Sequence, residues 1–556
     1  MKNLRRITSL LLMAVMVAGM LVVPSGNVQA AKKKVQLSKK KVMLEVGKKV
    51  TLKLKNVPKK KKITWSSNKK KIASVSKKGV VTAKKAGKAN ITAKVSGKKY
   101  VCKVTVKKKK TTKNITEQQK NTTEQPENTA EETKKSILIH TEGKNSGDVA
   151  ALEKIIQEHN GSFISTDLDN SGFNWNDKGR LVKLNWDYCG LEGTLDLSGL
   201  TALTEFDCSY NESITGLNVG KNTALTYLNC FDNKLSSLDV SQNTALTYLD
   251  CGANQLSSLD VSQNTALTYL DCGANQLSSL DVSKNTALTE LDCGGNKLSS
   301  LDVSGATALK ELQCRENQLS NLDVSGATAL KELQCLENQL SSLDVSQNKV
   351  LSSLSCSNNQ LSSLDVSQNT ALRYLDCGAN KLSSLDVSQN TALTYLSCDE
   401  NKLSSLDVSQ NTALKELQCR ENQLSSLDVS RNKVLSILSC SNNQLSSLDV
   451  SNNTALIGLS CDENQLSSLD VSQNKSLTML YCSYNQLSDL DVSQNKSLGY
   501  FYCSNNRLSS LDVSQNKWLG YFECSNNQLS SLDVSQNTAL TYLNCDDSVQ
   551  LTGWPK

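Results

Sequence analysis

The sequence is poor in the residues that enzymes use as general bases. Its 556 residues include only two histidines, His140 and His159. Neither stands beside a recurring serine or cysteine, so no nucleophile is paired with a base. We therefore expect no catalytic site, no enzyme activity, and no resident metal or other cofactor.

Long apolar runs are also scarce. Residues 7–23 form one such run after the basic start MKNLRR, and small residues follow up to Ala30. This order is typical of a cleaved secretory signal peptide over residues 1–30, with an uncleaved anchor as the alternative. No second run has spanning length, so we expect a mature chain without a membrane span that is secreted or extracellular. Association with the cell wall is one way in which it would be retained.

Acidic residues are nearly missing from the N-terminal part. From Lys32 to Lys110 there are 30 lysines and a single acid, Glu45. This segment therefore carries a net charge of +29, and the first six residues carry +3. Because the whole chain has a net charge of +8, the residues from Thr111 onward carry a net charge of −24. The basic segment is either simply solvated by its lysines or attracts an anionic cell-wall polymer. We expect no nucleic-acid partner.

Short alternating runs in the basic segment predict strands. The stretch ITWSSNKKKIASVSKKGVVTAKKAGKANITA resembles the bacterial Ig-like domain of the second group, BIG2, and the likeness covers about Lys34 to Val106. Membership implies a small β-sandwich over residues 31–106, with Trp65 in a core strand, acting as a spacer or adhesion module. Cys102 alternates with valines and is expected in the core. Residues 107–136 lack apolar periodicity and predict a disordered linker.

Residues 137–202 are interpreted as the N-terminal cap of a repeat array, because the end units of such arrays are atypical. The stretch DVAALEKIIQEHNG predicts a short helix with Asp148 as its N-cap and Gly161 as its stop signal. Trp186 and Cys189 fall in interior slots of an atypical first repeat. The helix is expected to bury one face, made of Val149, Leu152, Ile155 and Ile156.

Seventeen cysteines recur from Cys208 to Cys545, always 21 residues apart after Cys230 and 22 apart at the first step. Each turn reads LxxLxCxxNxLxxLDVSxNxx, which resembles the leucine-rich-repeat signature and the 21-residue bacterial class called IRREKO. The resemblance implies a mainly β protein, a leucine-rich-repeat solenoid with parallel strands and about 17 turns. We assign residues 203–556 to it, including a short C-terminal tail.

Alternation within LxLxC predicts a strand that points leucines and cysteine inward, and SLDVS predicts a second run of short strands opposite. The thiols are then small buried hydrophobes, because in-register strands hold Cβ atoms too far apart for disulfides and no histidine completes a zinc site. So many free thiols suggest a reducing niche. Asparagines such as Asn254 and Asn275 are expected to bond the backbone where the chain turns.

Two acidic patterns invite a metal interpretation. Residues 167–172 resemble the opening of a calcium loop, but Lys178 stands where a bidentate acid is needed, which favours a plain turn. The column of aspartates in LDV, from Asp239 to Asp533, either bonds neighbouring Ser hydroxyls and amides or recruits cations.

The letters that vary between turns carry any specificity. Stacking between strands is sufficient to explain Tyr227, Tyr248 and Tyr269. The aromatic cluster near the C-terminal end of the repeats favours ligand binding instead. We therefore predict a recognition or adhesion protein that binds a protein ligand through the exposed face of the solenoid. The alternatives are a spacer without a ligand and a polysaccharide-binding accessory protein. The predicted ligand-binding residues are Met479, Tyr481, Tyr484, Tyr500, Tyr502, Trp518 and Tyr521.

Overall fold

The computed structural model of the protein describes residues 36–37, 41–45, 49–52, 54–55, 63–95, 98–107, 138–159 and 164–554. The predicted signal peptide, nearly all of the predicted linker and Gly161 lie outside these residues. The chain divides into two compact units, one within residues 1–131 and one within residues 132–556. In the part that the structure describes, no helix is both long and apolar enough to cross a bilayer.

The described residues of the first unit form nine strands. The strands form a four-stranded sheet in the order β2-β9-β8-β5, a three-stranded sheet in the order β3-β7-β6, and the separate small pair β1-β4. The strands are Gln36–Leu37 (β1), Lys41–Glu45 (β2), Lys49–Thr51 (β3), Leu54–Lys55 (β4), Thr64–Ser67 (β5), Ala73–Val75 (β6), Val80–Ala83 (β7), Gly87–Val95 (β8) and Lys98–Lys107 (β9).

A small apolar core holds this unit together. Ile91 and Cys102 face each other across the antiparallel pair β8-β9, and both are fully buried. Trp65 lies on β5, half-buried, and packs against this core. The predicted positions of Cys102 and Trp65 are thus confirmed.

The second unit begins with helix α1, Ser146–Glu158, which buries Leu152, Ile155 and Ile156 as predicted. The predicted N-cap is wrong. Asn145 caps the helix, because its side-chain oxygen accepts from the N–H groups of Gly147 (3.0 Å) and Asp148 (3.1 Å). Asp148 lies in the first turn and is buried, where its carboxylate accepts two hydrogen bonds from Arg180 at 2.8 and 3.0 Å.

The repeats stack into one sheet of nineteen strands, in which all pairs after the antiparallel pair β10-β11 are parallel. Its strands are Phe173–Trp175 (β10), Leu181–Asn185 (β11), Glu205–Asp207 (β13), Tyr227–Asn229 (β15), Tyr248–Asp250 (β16), Tyr269–Asp271 (β17), Glu290–Asp292 (β18), Glu311–Gln313 (β19), Glu332–Gln334 (β20), Ser353–Ser355 (β21), Tyr374–Asp376 (β22), Tyr395–Ser397 (β23), Glu416–Gln418 (β24), Ile437–Ser439 (β25), Gly458–Ser460 (β26), Met479–Tyr481 (β27), Tyr500–Tyr502 (β28), Tyr521–Glu523 (β29) and Tyr542–Asn544 (β31). The solenoid therefore has about 18 turns, one more than the cysteine count indicated, because β11 belongs to the stack.

The cysteines form the predicted interior column. All nineteen cysteines are free, and those from Cys208 to Cys524 are buried. Only Cys189 and Cys545, at the two ends of the solenoid, are partly exposed, and both pack against the apolar core, so the interior placement of Cys189 is confirmed in part. Trp186, in the same first repeat, is buried as expected.

Strand-side asparagines bond the backbone as predicted. The side-chain amide of Asn254 donates to the carbonyl groups of Cys230, Cys251 and Gly252 at 3.0–3.1 Å. Its oxygen accepts the N–H of Leu235 at 2.9 Å. Asn254 therefore ties two successive turns together and leaves no amide atom unbonded.

The prediction of a second run of strands is largely wrong. Opposite the sheet, the structure shows only the pair Gly193–Asp196 (β12) with Ile214–Asn218 (β14), the pair Ser531–Asp533 (β30) with Gln550–Thr552 (β32), and an isolated bridge between Asp302 and Asp323. In the other described turns the backbone makes local bonds instead. The N–H of Ser262 donates to the Asp260 carboxylate at 2.9 Å, and the N–H of Asn264 donates to the Val261 carbonyl.

Candidate recognition surface

The surface available for recognition is formed by the outward side chains of the nineteen-stranded sheet, which we call the strand face. In each three-residue strand of the repeats the middle residue points inward, as Leu249 does in β16, and the first and third residues point outward. Because the strands pair in register, equivalent outward residues of successive turns are neighbours.

Tyrosines at the first strand position stack along the sheet where they are consecutive. The rings of Tyr227 and Tyr248 are 4.4 Å apart, and those of Tyr248 and Tyr269 are 4.3 Å apart and nearly parallel. Tyr374 and Tyr395 repeat this arrangement. The stacking that was expected for the first three tyrosines is confirmed.

The C-terminal cluster brings together five of the seven predicted residues. Tyr481 and Tyr502 stack at 4.9 Å, Tyr500 and Tyr521 stack at 5.2 Å, and Met479 pairs in register with Tyr500. Beneath them Phe501 and Phe522 replace the inward leucine, and their buried rings stack. We define the C-terminal tyrosine patch as Met479, Tyr481, Tyr500, Tyr502, Tyr521 and Tyr542.

Tyr542 is the member of the patch that was not predicted. Its ring stacks on Tyr521 at 6.0 Å and is as exposed as the rings of Tyr500 and Tyr521. The signal was present in the sequence, because Tyr542 follows Tyr521 by one repeat.

Two predicted residues, in the part of the chain that the structure describes, have no ring contact with the patch. Tyr484 occupies the left-handed position two residues after Cys482, with φ 54°, and is 52% exposed. Trp518 precedes the inward Leu519 and is 74% exposed, the highest value among the large apolar side chains of the described residues. Both are therefore largely exposed aromatic side chains that the structure does not stack on the patch.

A row of carboxylates on the strand face, of which Asp250 is buried and the other two are half-buried, was missed. Asp250, Asp271 and Asp292 occupy the third position of three adjacent strands and pair in register. Burial and the neighbouring charge of Asp271 raise the pKa of Asp250 to about 7. Burial, followed by the charge of Asp292, raises the pKa of Asp271 to about 6. The row is apparent only once the register of the strands is known.

The exposed aspartates on the opposite side behave as the local hydrogen-bonding interpretation predicted. Bonds from the N–H and hydroxyl of Ser262 lower the pKa of Asp260, and the same pattern recurs along the column. The turn at residues 167–172 is also confirmed. Its Asp169 carboxylate accepts a hydrogen bond from the ammonium group of Lys144 at 2.7 Å, next to the pair of His140 and Asp167 at 2.8 Å.

Comparisons with known proteins agree with this architecture. Residues 31–106 match the bacterial Ig-like domain (group 2). The solved functional domain of InlJ from Listeria monocytogenes, which includes a cysteine ladder, is 38% identical to this chain. The likeness covers 61% of this chain and 75% of the InlJ chain, with a TM-score of 0.56. The chain belongs to the bacterial leucine-rich-repeat proteins with a cysteine ladder.

More distant solved structures share only the fold with the present chain. YopM from Yersinia enterocolitica is 23% identical, over 74% of this chain and 95% of YopM, with a TM-score of 0.55. The ectodomain of the Arabidopsis receptor kinase HAESA, solved with a peptide hormone, is 19% identical over 69% of this chain and 81% of its own length, with a TM-score of 0.52. No curated protein gives a significant sequence match.

Proposed function

We propose that the protein is a secreted or cell-surface recognition and adhesion protein that binds a protein ligand through the strand face, with the C-terminal tyrosine patch as its anchor. The Lys-rich Ig-like domain lies near the cell wall and holds an anionic wall polymer. A rigid array of turns loses little conformational entropy on binding, so a modest patch is sufficient.

The observation that carries the proposal is the grouping of exposed and half-buried aromatic side chains on four adjacent strands, β27, β28, β29 and β31. Large rings that already stack on one another present a preformed apolar surface, and such residues dominate the binding energy of protein interfaces. Tyr484 and Trp518 are further exposed aromatic side chains in the turns that carry β27 and β29.

The test compares capture from surface extracts of host or neighbouring cells by wild type and by a variant with Met479, Tyr481, Tyr500, Tyr502 and Tyr521 changed to Ser. The matched control changes Tyr227, Tyr248 and Tyr269 to Ser, which removes a stacked ladder at the other end. Circular dichroism checks that both variants are folded. We expect the patch variant to lose the captured ligand and the control to keep it. Equal capture by all three forms would remove the patch from the proposal.

Protease and glycosidase treatment of the extracts separates the alternatives. A ligand that survives protease and disappears with glycosidase would favour a polysaccharide-binding accessory protein, and the absence of any saturable ligand would favour a spacer. The wall proposal is tested separately by elution from isolated walls. Release that increases with salt concentration supports charge attraction, whereas release independent of salt contradicts it.

A further inference from the structure

Three lysines accompany the C-terminal tyrosine patch on the side where its strands begin. Lys475, Lys496 and Lys517 occupy the same position in three successive turns, shortly before strands β27, β28 and β29. All three are exposed. Among the residues that the structure describes, no carboxylate forms an ion pair with any of them. We call these residues the lysine row.

The lysine row reverses the charge of its surroundings. The residues from Thr111 onward carry a net charge of −24, whereas this edge presents three cations on adjacent turns. Turns that stack in register hold neighbouring lysines about 4.8 Å apart, so their fields add. The acid of the patch strands, Glu523, holds the last position of β29 and thus lies at the opposite edge. The edge with the lysines is therefore suited to an anionic partner.

The other tyrosine ladder has no such row. In the turns of Tyr227, Tyr248 and Tyr269 the equivalent position holds threonine each time. Those tyrosines also stack, so stacking alone does not require lysine at this position. The lysines distinguish the C-terminal tyrosine patch from a ladder that serves only the sheet.

A strip of bare backbone lies between the lysine row and the tyrosines. Gly499 and Gly520, which we call the glycine strip, come directly before the first residues of β28 and β29. Every other turn from Thr204 to Thr541 carries a side chain at this position. The two glycines therefore uncover the backbone beside the stacked rings of Tyr500 and Tyr521.

The fold does not require glycine at either position. A Cβ atom on Gly499 would have its nearest neighbour at 3.6 Å and one on Gly520 at 3.7 Å, in each case a carbonyl oxygen. These are ordinary contact distances, and neither glycine has a left-handed backbone. Trp518, two residues before Gly520, is 74% exposed and adds an aromatic side chain to this edge. Cations, bare backbone and aromatic rings thus follow one another across three adjacent turns.

We propose that this edge of the patch docks an extended acidic segment of the protein ligand, with its carboxylates on the lysine row and its backbone over the glycine strip. This docking site rests on the proposed function, because it specifies the chemistry of the ligand that the patch binds. An extended chain advances about 3.3 Å per residue, so four residues are sufficient to span the row. Ammonium groups at the rim of an interface steer and orient an acidic partner, and the neighbouring rings supply apolar contact.

The first test uses a biotinylated peptide of alternating glutamate and valine with an amidated C-terminus. Full-length protein is mixed with it and treated with a carbodiimide, which joins carboxylates to neighbouring amines, and the linked lysines are mapped by mass spectrometry. Mapping resolves each lysine, so binding to the Lys-rich Ig-like domain does not obscure the result. Lys349 and Lys433, exposed at the same position of other turns, are the internal controls.

We expect cross-links at the lysine row to exceed those at Lys349 and Lys433 by about 10-fold at limiting peptide concentration. An excess of the peptide with glutamine in place of glutamate should not compete, because it lacks the carboxylates. Equal yields at the row and at the control lysines, or competition by the glutamine peptide, would overturn the proposal.

Restoring a side chain to the glycine strip tests the second contact. G499T/G520T introduces the residue that Thr478 supplies one turn earlier, and it should lower the cross-linking yield about fivefold by covering the backbone. The matched control S352T/S436T places threonine at the same position of two other turns and should change nothing. Thermal melts check folding. An unchanged yield in folded G499T/G520T would overturn the docking over the strip.

The capture assay with cell-surface extracts separates this inference from the proposed function. K475Q/K496Q/K517Q should lower capture about 10-fold, and K284Q/K349Q/K433Q, which removes the same charge elsewhere, should not. Normal capture by the first variant, together with loss in the variant with Ser in the tyrosine patch, would overturn the acidic segment and leave the proposed function standing. Displacement of the glutamate peptide from the lysine row by polygalacturonate, at a lower concentration of carboxylates, would assign the row to an anionic polysaccharide and overturn the proposal.

Discussion

Each turn of the solenoid has two sides that look alike in sequence and differ in structure. The strand side, LxxLxCxxN, forms the parallel sheet, and the return side, LxxLDVSxN, forms local turns. Both sides bury their apolar residues, as Leu249 and Val261 show. Apolar alternation alone therefore does not decide whether a segment pairs as a strand.

The asparagines that end the two sides reveal the difference. On the strand side, Asn359 donates to three carbonyl groups and accepts the N–H of Leu340. On the return side, Asn369 donates to the carbonyls of Val345 and Asn348, and its buried oxygen accepts nothing. The strand-side asparagine thus satisfies backbone groups in both directions, and the return-side one carries an uncompensated oxygen.

The sequence itself tolerates loss of the return-side asparagine. Ala306 and Ala327 fill that slot in two turns, whereas the strand-side slot holds asparagine in every turn from Asn211 to Asn527. Even there one amide is incomplete. The Asn233 oxygen has no donor at the longer first step, where the extra residue lies between Asn211 and Ile214.

The largest expected effect comes from removing these asparagines within one turn. Asn359→Ala should lower the free energy of unfolding by about 2–4 kcal/mol, because it leaves buried backbone groups unbonded on two turns. Asn369→Ala should cost about 1 kcal/mol, because the lost donor bonds are offset by removal of an unbonded oxygen. Urea unfolding of the two variants measures the difference. Equal costs would show that the two columns are equivalent.

Much of this organisation could be predicted from sequence, and the failures have physical reasons. The 21-residue step predicted that the leucine and cysteine point inward and that the strand-side asparagine bonds the backbone. Period-two alternation combined with a constant repeat length allows only one pairing of successive strands. The prediction of strands on the return side was wrong because Asp260 and Asn264 form hydrogen bonds with backbone groups that would otherwise pair two strands. Met479, Tyr481, Tyr500, Tyr502 and Tyr521 could be grouped by spacing, but the burial of Asp250 depends on neighbouring turns and has no signal within one repeat.

An intermediate effect is expected from placing a hydroxyl in each interior column. The Cys377 thiol lies 3.4 Å from the Ser397 carbonyl, so the hydroxyl of Cys377→Ser has an acceptor on the strand side. Val387→Thr puts its hydroxyl among return-side apolar groups. We expect a cost of about 1 kcal/mol for the first and about 2–3 kcal/mol for the second. Thermal melts test the order, and the reverse order would contradict the assigned surroundings.

The smallest effect concerns the backbone just after the strand. Residues two positions after the cysteine adopt left-handed conformations in turn after turn, and Ala379 does so at φ 49°. Asparagine tolerates this region better than alanine, and Asn358 already occupies it one turn earlier. Ala379→Asn should therefore stabilise the protein by about 0.5 kcal/mol. Gln389→Asn on the return side of the same turn is the control and should have no effect.

Native-state thiol labelling tests most directly the central claim that the turns wind into one continuous solenoid with a dry column of free thiols. Burial raises the pKa of thiols such as Cys251 far above the usual value, so both access and reactivity are suppressed. We expect a neutral maleimide to label Cys189 and Cys545 first in the native protein, and all nineteen cysteines after denaturation without a reductant. Rapid native labelling from Cys208 to Cys524, or a denatured protein with few free thiols, would contradict the claim.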